Sequence, residues 1–245
     1  MIKFNFVKLY FSLTAFLLPG NSLTAQTNII EFPSTVRVVG AMKNVMWKGE
    51  LFGTIDLDTI ANKQHLYGLG PVEYLAGEIL IVDGQSYQSL VLSGTTMKVE
   101  ETFKVKAPFF VCATVENWKE RSLPDSIESI KQLEDYLDLV TTTTIRPFAF
   151  KLNGTVETAK IHIVNLPKGT RVNSPDDAHR GKTIFTLDNE LSTIVGFFST
   201  KHQAIFTHHD TYLHMHLITK DKTKMGHLDE VKFKKGTMKL YLPTQ

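Results

Sequence analysis

A single cysteine, Cys112, stands in a chain of 245 residues, and one thiol cannot close an internal disulfide. Stability must then come from an apolar core, helped by a metal or a partner subunit. Neither sign of charge is in excess: 27 basic residues face 25 acidic ones. The first 25 residues hold two of the lysines, Lys3 and Lys8, and no acid. The remainder is therefore formally neutral with histidine uncharged, which gives no support to nucleic-acid binding, since that needs a clustered basic surface. Long apolar runs, internal repeats, heptad seams and low-complexity tracts are also lacking. The most apolar run, Leu9–Leu18, is short of the roughly 20 residues needed to cross a bilayer.

The setting of that run is informative. A basic start at Lys3 and Lys8, the apolar stretch, then small and polar residues up to Ala25 have the layout of a secretory signal peptide. Residues 1–25 are read as that signal, and residues 26–245 as the mature chain, exported to the periplasm or secreted. No membrane segment is expected once the signal is removed. The mature length suits one large domain or two small ones.

Short runs rich in Val, Ile, Thr, Phe and Tyr, separated by Gly, Asn, Asp and Pro, read as strands. They are Val36–Val39, Glu78–Val82, Tyr87–Leu92, Phe109–Val115, Phe148–Asn153, Lys160–Val164, Thr193–Phe198, Tyr212–Thr219 and Lys239–Leu242. Val82-Asp83-Gly84-Gln85 is a tight-turn signal, because Asp-Gly tolerates the positive φ of a hairpin turn. It predicts antiparallel pairing of Glu78–Val82 with Tyr87–Leu92. Over Asp125–Val140, the apolar residues Ile127, Ile130, Leu133, Leu137 and Val140 recur three and four apart, which predicts a helix beginning near Pro124 and Asp125. A shorter helical piece is expected at Leu57–Lys63, and the polar residues 167–182 read as an exposed loop. The fold class is α+β, strand-dominated, with mixed or antiparallel sheets and few helices.

Among nine histidines, one arrangement carries chemistry: His214-Met215-His216, then His227 after a turn-like Lys220–Gly226. Alternate strand residues share a face, so Tyr212, His214, His216 and Ile218 line one side and Leu213, Met215 and Leu217 the other. The two imidazoles are then roughly 6.6–7 Å apart at their Cα atoms. A return strand would bring His227 up as a third ligand. Three histidines leave one position of a tetrahedral zinc ion open, the pattern of a catalytic site. Two imidazoles merely exposed on a sheet face remain the alternative. His208-His209 compete for a place, but adjacent strand residues face opposite ways, so at most one could join. Both read as loop residues. A cupin site would place a glutamate shortly after the second histidine, and Leu217–Asp221 holds none.

Four blocks in order resemble the α-acetolactate decarboxylase family over roughly residues 37–243. Tyr212–Ile218 with Asp221 and Gly226-His227 resembles its zinc-binding segment. Tyr67-Gly68-Leu69-Gly70 with Leu75 and Gly77-Glu78 resembles its Phe-Gly-Ile-Gly…Leu-Asp-Gly-Glu segment. Pro147–Gly154 resembles its aromatic-Ala-Ile-Arg-Ile-Asp-Gly strand, and Thr193–Phe197 also fits. The resemblance implies a strand-built fold with the metal site on a sheet face, Zn2+ on His214, His216 and His227, and a possible homodimer. It implies decarboxylation of 2-acetolactate to acetoin and carbon dioxide, with zinc as the electron sink. Glu78 falls at a family active-site glutamate and is the candidate acid/base.

Two departures qualify the implied reaction. Lys151 stands where the family has an arginine expected to hold the substrate carboxylate, and lysine lacks the planar fork of a guanidinium. Arg146 is five residues earlier, on the other face of a regular strand. The family also has a second active-site glutamate beyond its last strand, and no residue here matches it. Three readings follow: a zinc carboxy-lyase on a 2-hydroxy-3-keto acid; a relative that binds metal and a small keto or hydroxy acid without turnover; or a metal-dependent isomerase or hydrolase on the same scaffold.

Overall fold

The strand-forming runs pair entirely in antiparallel fashion, apart from one isolated bridge between Gln203 and Thr207. The computed structural model describes Met1 and residues 36–244. The expected signal segment, beyond Met1, lies outside the described residues. Among the described residues no helix is long and apolar enough to cross a membrane.

The first half of the chain lays down β1 (Arg37–Val39), α1 (Met42–Lys48), β2 (Ile55–Asp56), β3 (Leu66–Pro71), β4 (Glu78–Val82), β5 (Gln85–Ser93), β6 (Thr96–Glu101), β7 (Lys106–Ala107) and β8 (Phe110–Thr114). Six of these strands form one sheet in the order β1-β8-β3-β4-β5-β6, and β2 pairs with β7 apart from it. The Asp-Gly turn is as predicted: Val82 pairs with Gln85, and Asp83 and Gly84 have φ of 47° and 78°. Leu57–Lys63 contributes only a three-residue 3-10 turn, Leu57–Thr59.

The second half holds β9 (Trp118–Ser122), α2 (Ile130–Val140), β10 (Phe148–Ile163), α3 (Pro175–Ala178), β11 (Thr183–Phe198), β12 (Leu213–Thr219), β13 (Met225–Phe233) and β14 (Lys239–Pro243). The strands predicted at Phe148–Asn153 and Lys160–Val164 are one 16-residue strand, and its partner β11 is equally long. Charged and polar residues in 183–192 hide the strand from a propensity reading; cross-strand pairing with β10 makes it. β10 pairs with β11, β11 with β12, β12 with β13, and β13 back to β10. Four strands thereby close into a ring, with β14 and β9 added along the free part of β10.

The helix begins at Ile130, five residues later than predicted. Ser129 caps it, accepting from Gln132 N–H while the Gln132 side chain accepts from the Ser129 backbone, a reciprocal box that fixes the start. Asp125 instead accepts the Gly236 N–H at 2.7 Å. Buried Glu134 of α2 accepts from Thr211 Oγ1 at 2.5 Å and from Tyr212 N–H at 2.6 Å, which ties the helix to the entry of β12.

Alternation along the ring strands divides the apolar residues in two. Phe150, Leu152, Ile194, Met215, Leu217 and Leu228 pack on one face with the buried residues of α2. Ala149, Val195, Phe197 and Ile218 on the other face pack against Tyr67, Leu69, Leu80 and Val111 of the first sheet. The histidines of β12 lie on this second face, between the two sheets.

Candidate metal centre

Leu213, Met215 and Leu217 pack in the first apolar cluster, so strand alternation turns His214 and His216 the other way. Register then supplies the third ring, because His216 stands directly opposite His227 across β12 and β13. Ring centroids are 5.1 Å apart for His214–His216, 5.0 Å for His214–His227 and 5.4 Å for His216–His227. One nitrogen from each lies within 4.8 Å of the others. All three side chains are buried.

The electrostatics suit a metal. Burial first, and the neighbouring imidazoles second, hold His214 and His227 well below the ordinary imidazole range. Burial likewise holds His216 down, to about 3. The rings are therefore neutral near pH 7, with free lone pairs. His214 Nδ1 and both nitrogens of His216 are buried without a hydrogen bond of good geometry. The Phe206 and Ile79 carbonyls lie close enough to favour ring protonation without completing such a bond. Unpaired buried nitrogens cost about 1–3 kcal/mol each unless a partner is supplied, and a cation bound by neutral imidazoles is such a partner. The donor set fits zinc.

Glu78 opens β4 and comes from the opposite sheet. Its Oε1 accepts the Val164 N–H at 3.1 Å and lies 3.9 Å from His162 Nε2; its Oε2 lies 3.7 Å from His216 Nε2. Burial pushes this carboxyl well above the usual carboxylate range, more than the Val164 hydrogen bond lowers it. At 3.7–3.9 Å both imidazole neighbours are close approaches, longer than hydrogen bonds. Glu78 is a buried carboxyl, its proton held more tightly than that of an exposed glutamate, within reach of the imidazole cluster.

Several residues of this wall were not picked out from the sequence. His162 of β10 stands opposite His227, with ring centroids 4.6 Å apart. Its Nδ1 is 2.7 Å from Asp229 Oδ1. Burial works against ionisation of Asp229, but the hydrogen bond from His162 and neighbouring groups, Lys182 among them, outweigh it and hold the carboxyl low. His179 follows α3, and burial brings it down to about 4. His208 is a loop residue as read, yet its ring comes within 4.9 Å of His227 and burial lowers it too; His209 is exposed. Asp229 was findable, since i and i+2 share a strand face with His227. His162 and His179 become neighbours only through pairing and loop return. Met42, Met46, Pro71, Leu75, Phe109 and Val164 complete an apolar cavity wall around the histidines and Glu78.

Lys151 is not among the residues lining that cavity. It sits on β10 with its ammonium 4.7 Å from the Tyr241 ring, 5.2 Å from Trp118 and 5.6 Å from Tyr67. The structure thus brings Glu78 to the histidines and surrounds Lys151 with aromatic rings instead. Arg146 pairs with Asp138 at 2.6 Å and lies over Phe198, away from the cavity.

The chain is similar to known proteins along most of its length. It is 26% identical to an alpha-acetolactate decarboxylase of Brevibacillus brevis over 239 residues, covering 94% of this chain and 81% of that one. Identity to the Lactococcus lactis subsp. lactis enzyme of the same name is 25% over 206 residues, covering 83% and 78%. The crystal structure of alpha-acetolactate decarboxylase from Bacillus subtilis strain 168 shares the fold at a TM-score of 0.68 and 19% identity, covering 86% of both chains. A Staphylococcus aureus protein of unknown function, described as similar to that enzyme, superposes at 0.69 with 16% identity and 84% coverage of each. The family model for alpha-acetolactate decarboxylase matches residues 39–244, nearly all of the described chain and every residue of the histidine cluster, so the chain belongs to the alpha-acetolactate decarboxylase family.

Proposed function

We propose that this protein is a zinc-dependent carboxy-lyase that converts 2-acetolactate to acetoin and carbon dioxide. The observation that carries the reading is the convergence of three buried imidazoles beside the buried carboxyl of Glu78, whose Oε2 lies 3.7 Å from His216 Nε2. His214, His216 and His227 would hold the ion, which when bound supplies Lewis-acid withdrawal of electron density from a substrate carbonyl. The apolar wall of Met42, Met46, Leu75 and Phe109 lowers the local polarity, which strengthens electrostatic interactions beside it.

In the reaction the bond between the carboxylate and the hydroxyl-bearing carbon breaks, carbon dioxide leaves, and the electron pair it leaves behind is quenched by a proton on carbon. Glu78 holds that proton. Its Oε1 is engaged by the Val164 N–H, which leaves Oε2 as the oxygen that carries and delivers it. Export under the N-terminal signal and dimerisation belong to the same proposal.

A second reading has an observation in its favour: no lysine or arginine lines the cavity, and Lys151 is occupied by three aromatic rings. A relative that binds a small hydroxy or keto acid without turnover would show this. Incubating zinc-loaded protein with racemic acetolactate decides between them. Acetoin formation that depends on zinc and disappears in His216→Ala supports the carboxy-lyase. No acetoin, with one zinc still bound per chain, supports the binding protein.

A further inference from the structure

His162 is not needed to assemble the three-imidazole cluster, yet it is built into the same wall. Its ring is buried, stands opposite His227 in register, and lies at the cavity with Glu78. The 2.7 Å separation of Nδ1 from Asp229 Oδ1 is a hydrogen bond that the ring N–H donates to the carboxylate. Pairing between β10 and β13 slips at this point: Ile161 faces Leu228, Lys160 faces Glu230, and Asp229 is the extra residue between them. Such a bulge re-aims one side chain while the strand keeps its inner face. Leu228 and Val231 stay in the apolar cluster while Asp229 turns to His162.

With Nδ1 committed to Asp229, Nε2 is the nitrogen that faces Glu78. The gap to Oε1 is 3.9 Å, wider than a hydrogen bond, and Oε1 already accepts from Val164. A polar atom held in this way, beside the metal ligands and without a direct bond to its nearest acid, is placed to meet a ligand.

We propose that His162 is a specificity-determining residue whose Nε2 hydrogen-bonds the hydroxyl of a 2-hydroxy acid held in the cavity. The proposal deepens, and rests on, the reading of the site as one for hydroxy-keto acids. A hydroxyl both donates and accepts, so it pairs with Nε2 whichever way the ring is protonated, whereas a ketone or carboxylate oxygen pairs only with an N–H. A buried group that meets a hydroxyl is left unpaired by an analogue lacking it, and discrimination follows.

The test uses two stable acids of nearly equal shape, 2-hydroxy-2-methylpropanoate and 2,2-dimethylpropanoate. Their binding to zinc-loaded full-length protein is measured by calorimetry for wild type, His162→Ala and His162→Gln, with zinc content determined for each. Wild type should prefer the hydroxy acid. His162→Ala should cut that preference roughly tenfold with affinity for the dimethyl acid unchanged, and His162→Gln should restore part of it. Should His162→Ala lose its zinc, His162→Gln, which still offers a polar end to Asp229, carries the test by a partial loss of preference. Equal weakening toward both acids, an unchanged preference in both variants, or no wild-type preference overturns the proposal. Binding requires no turnover, so an intact preference without acetoin formation sinks the decarboxylase reading alone.

Discussion

Glu78 shows how burial changes the acidity of a side chain. A glutamate at a strand start is ordinarily ionised at pH 7, and here it is enclosed by the second sheet. Its folded pKa is raised above the unfolded value of about 4.5. The stabilising contribution of the protonated form is fully present below about 4.5 and is lost as pH rises toward the folded value. Glu78→Gln, a mimic of the neutral acid, should therefore be more stable than wild type in metal-free protein, by a margin that widens as pH rises above about 4.5. Denaturant titrations at several pH values measure that margin; a constant difference would mean the folded-state pKa of Glu78 is not raised. The same variant should lower acetoin formation by a factor of about 100 or more, since it cannot deliver a proton.

The histidines make a different point at the same scale. The His-x-His spacing was legible because strand alternation is a local rule, and His227 was legible from the turn-like segment that precedes it, with the resemblance in support. His162 was not: it reads as one polar residue in an apolar run, and only its register against His227 gives it meaning.

Among the elements, β12 and β13 are the ones on which the site stands, and their spacing against β10 is set by a glycine. A Cβ built on Gly226 would lie 2.5 Å from the His162 carbonyl oxygen, a backbone atom that cannot swing aside. Gly226→Ala should push β13 off β10, costing about 1–3 kcal/mol in stability and weakening zinc binding through displaced His227. Thermal unfolding with zinc titration checks both, and native metal affinity in this variant would contradict the role given to the strand spacing. Helix α2 illustrates where element boundaries escape sequence reading. Ile127 continues the apolar period of the helix without belonging to it. The capping box at Ser129 decides the start, since hydrogen bonds at a terminus outrank periodicity there.

At the scale of the molecule, the cluster is assembled from separate parts: three imidazoles from one sheet, Glu78 and Pro71 from the other, and most of the apolar wall from α1 and the segments between strands. An ion bound at the histidines would stabilise only the folded chain, because the unfolded chain does not hold the three together. At a free-ion concentration near 100 Kd the gain is about 2.7 kcal/mol, and each kcal/mol shifts Tm by about 2–4 °C in a protein of this size. Chelation should therefore lower Tm by about 5–10 °C in wild type and leave His214→Ala/His216→Ala unmoved. A chelator shift of equal size in that double variant would place the ion elsewhere.

Local sequence patterns determined the strand-rich class, the Asp-Gly hairpin, the two faces of β12 and three of the histidines, because each depends on residues close together along the chain. Tertiary structure alone decided that β10 and β11 run for 16 residues each and close a ring with β12 and β13. It alone set His162 beside His227, buried Glu78 between the sheets so that its carboxyl holds its proton more tightly, and placed Lys151 among aromatic rings away from the cavity. The physical reason is common to all of these. Register, burial and the neighbours of a charge are properties of segments distant in sequence, and they acquire values only when those segments pack.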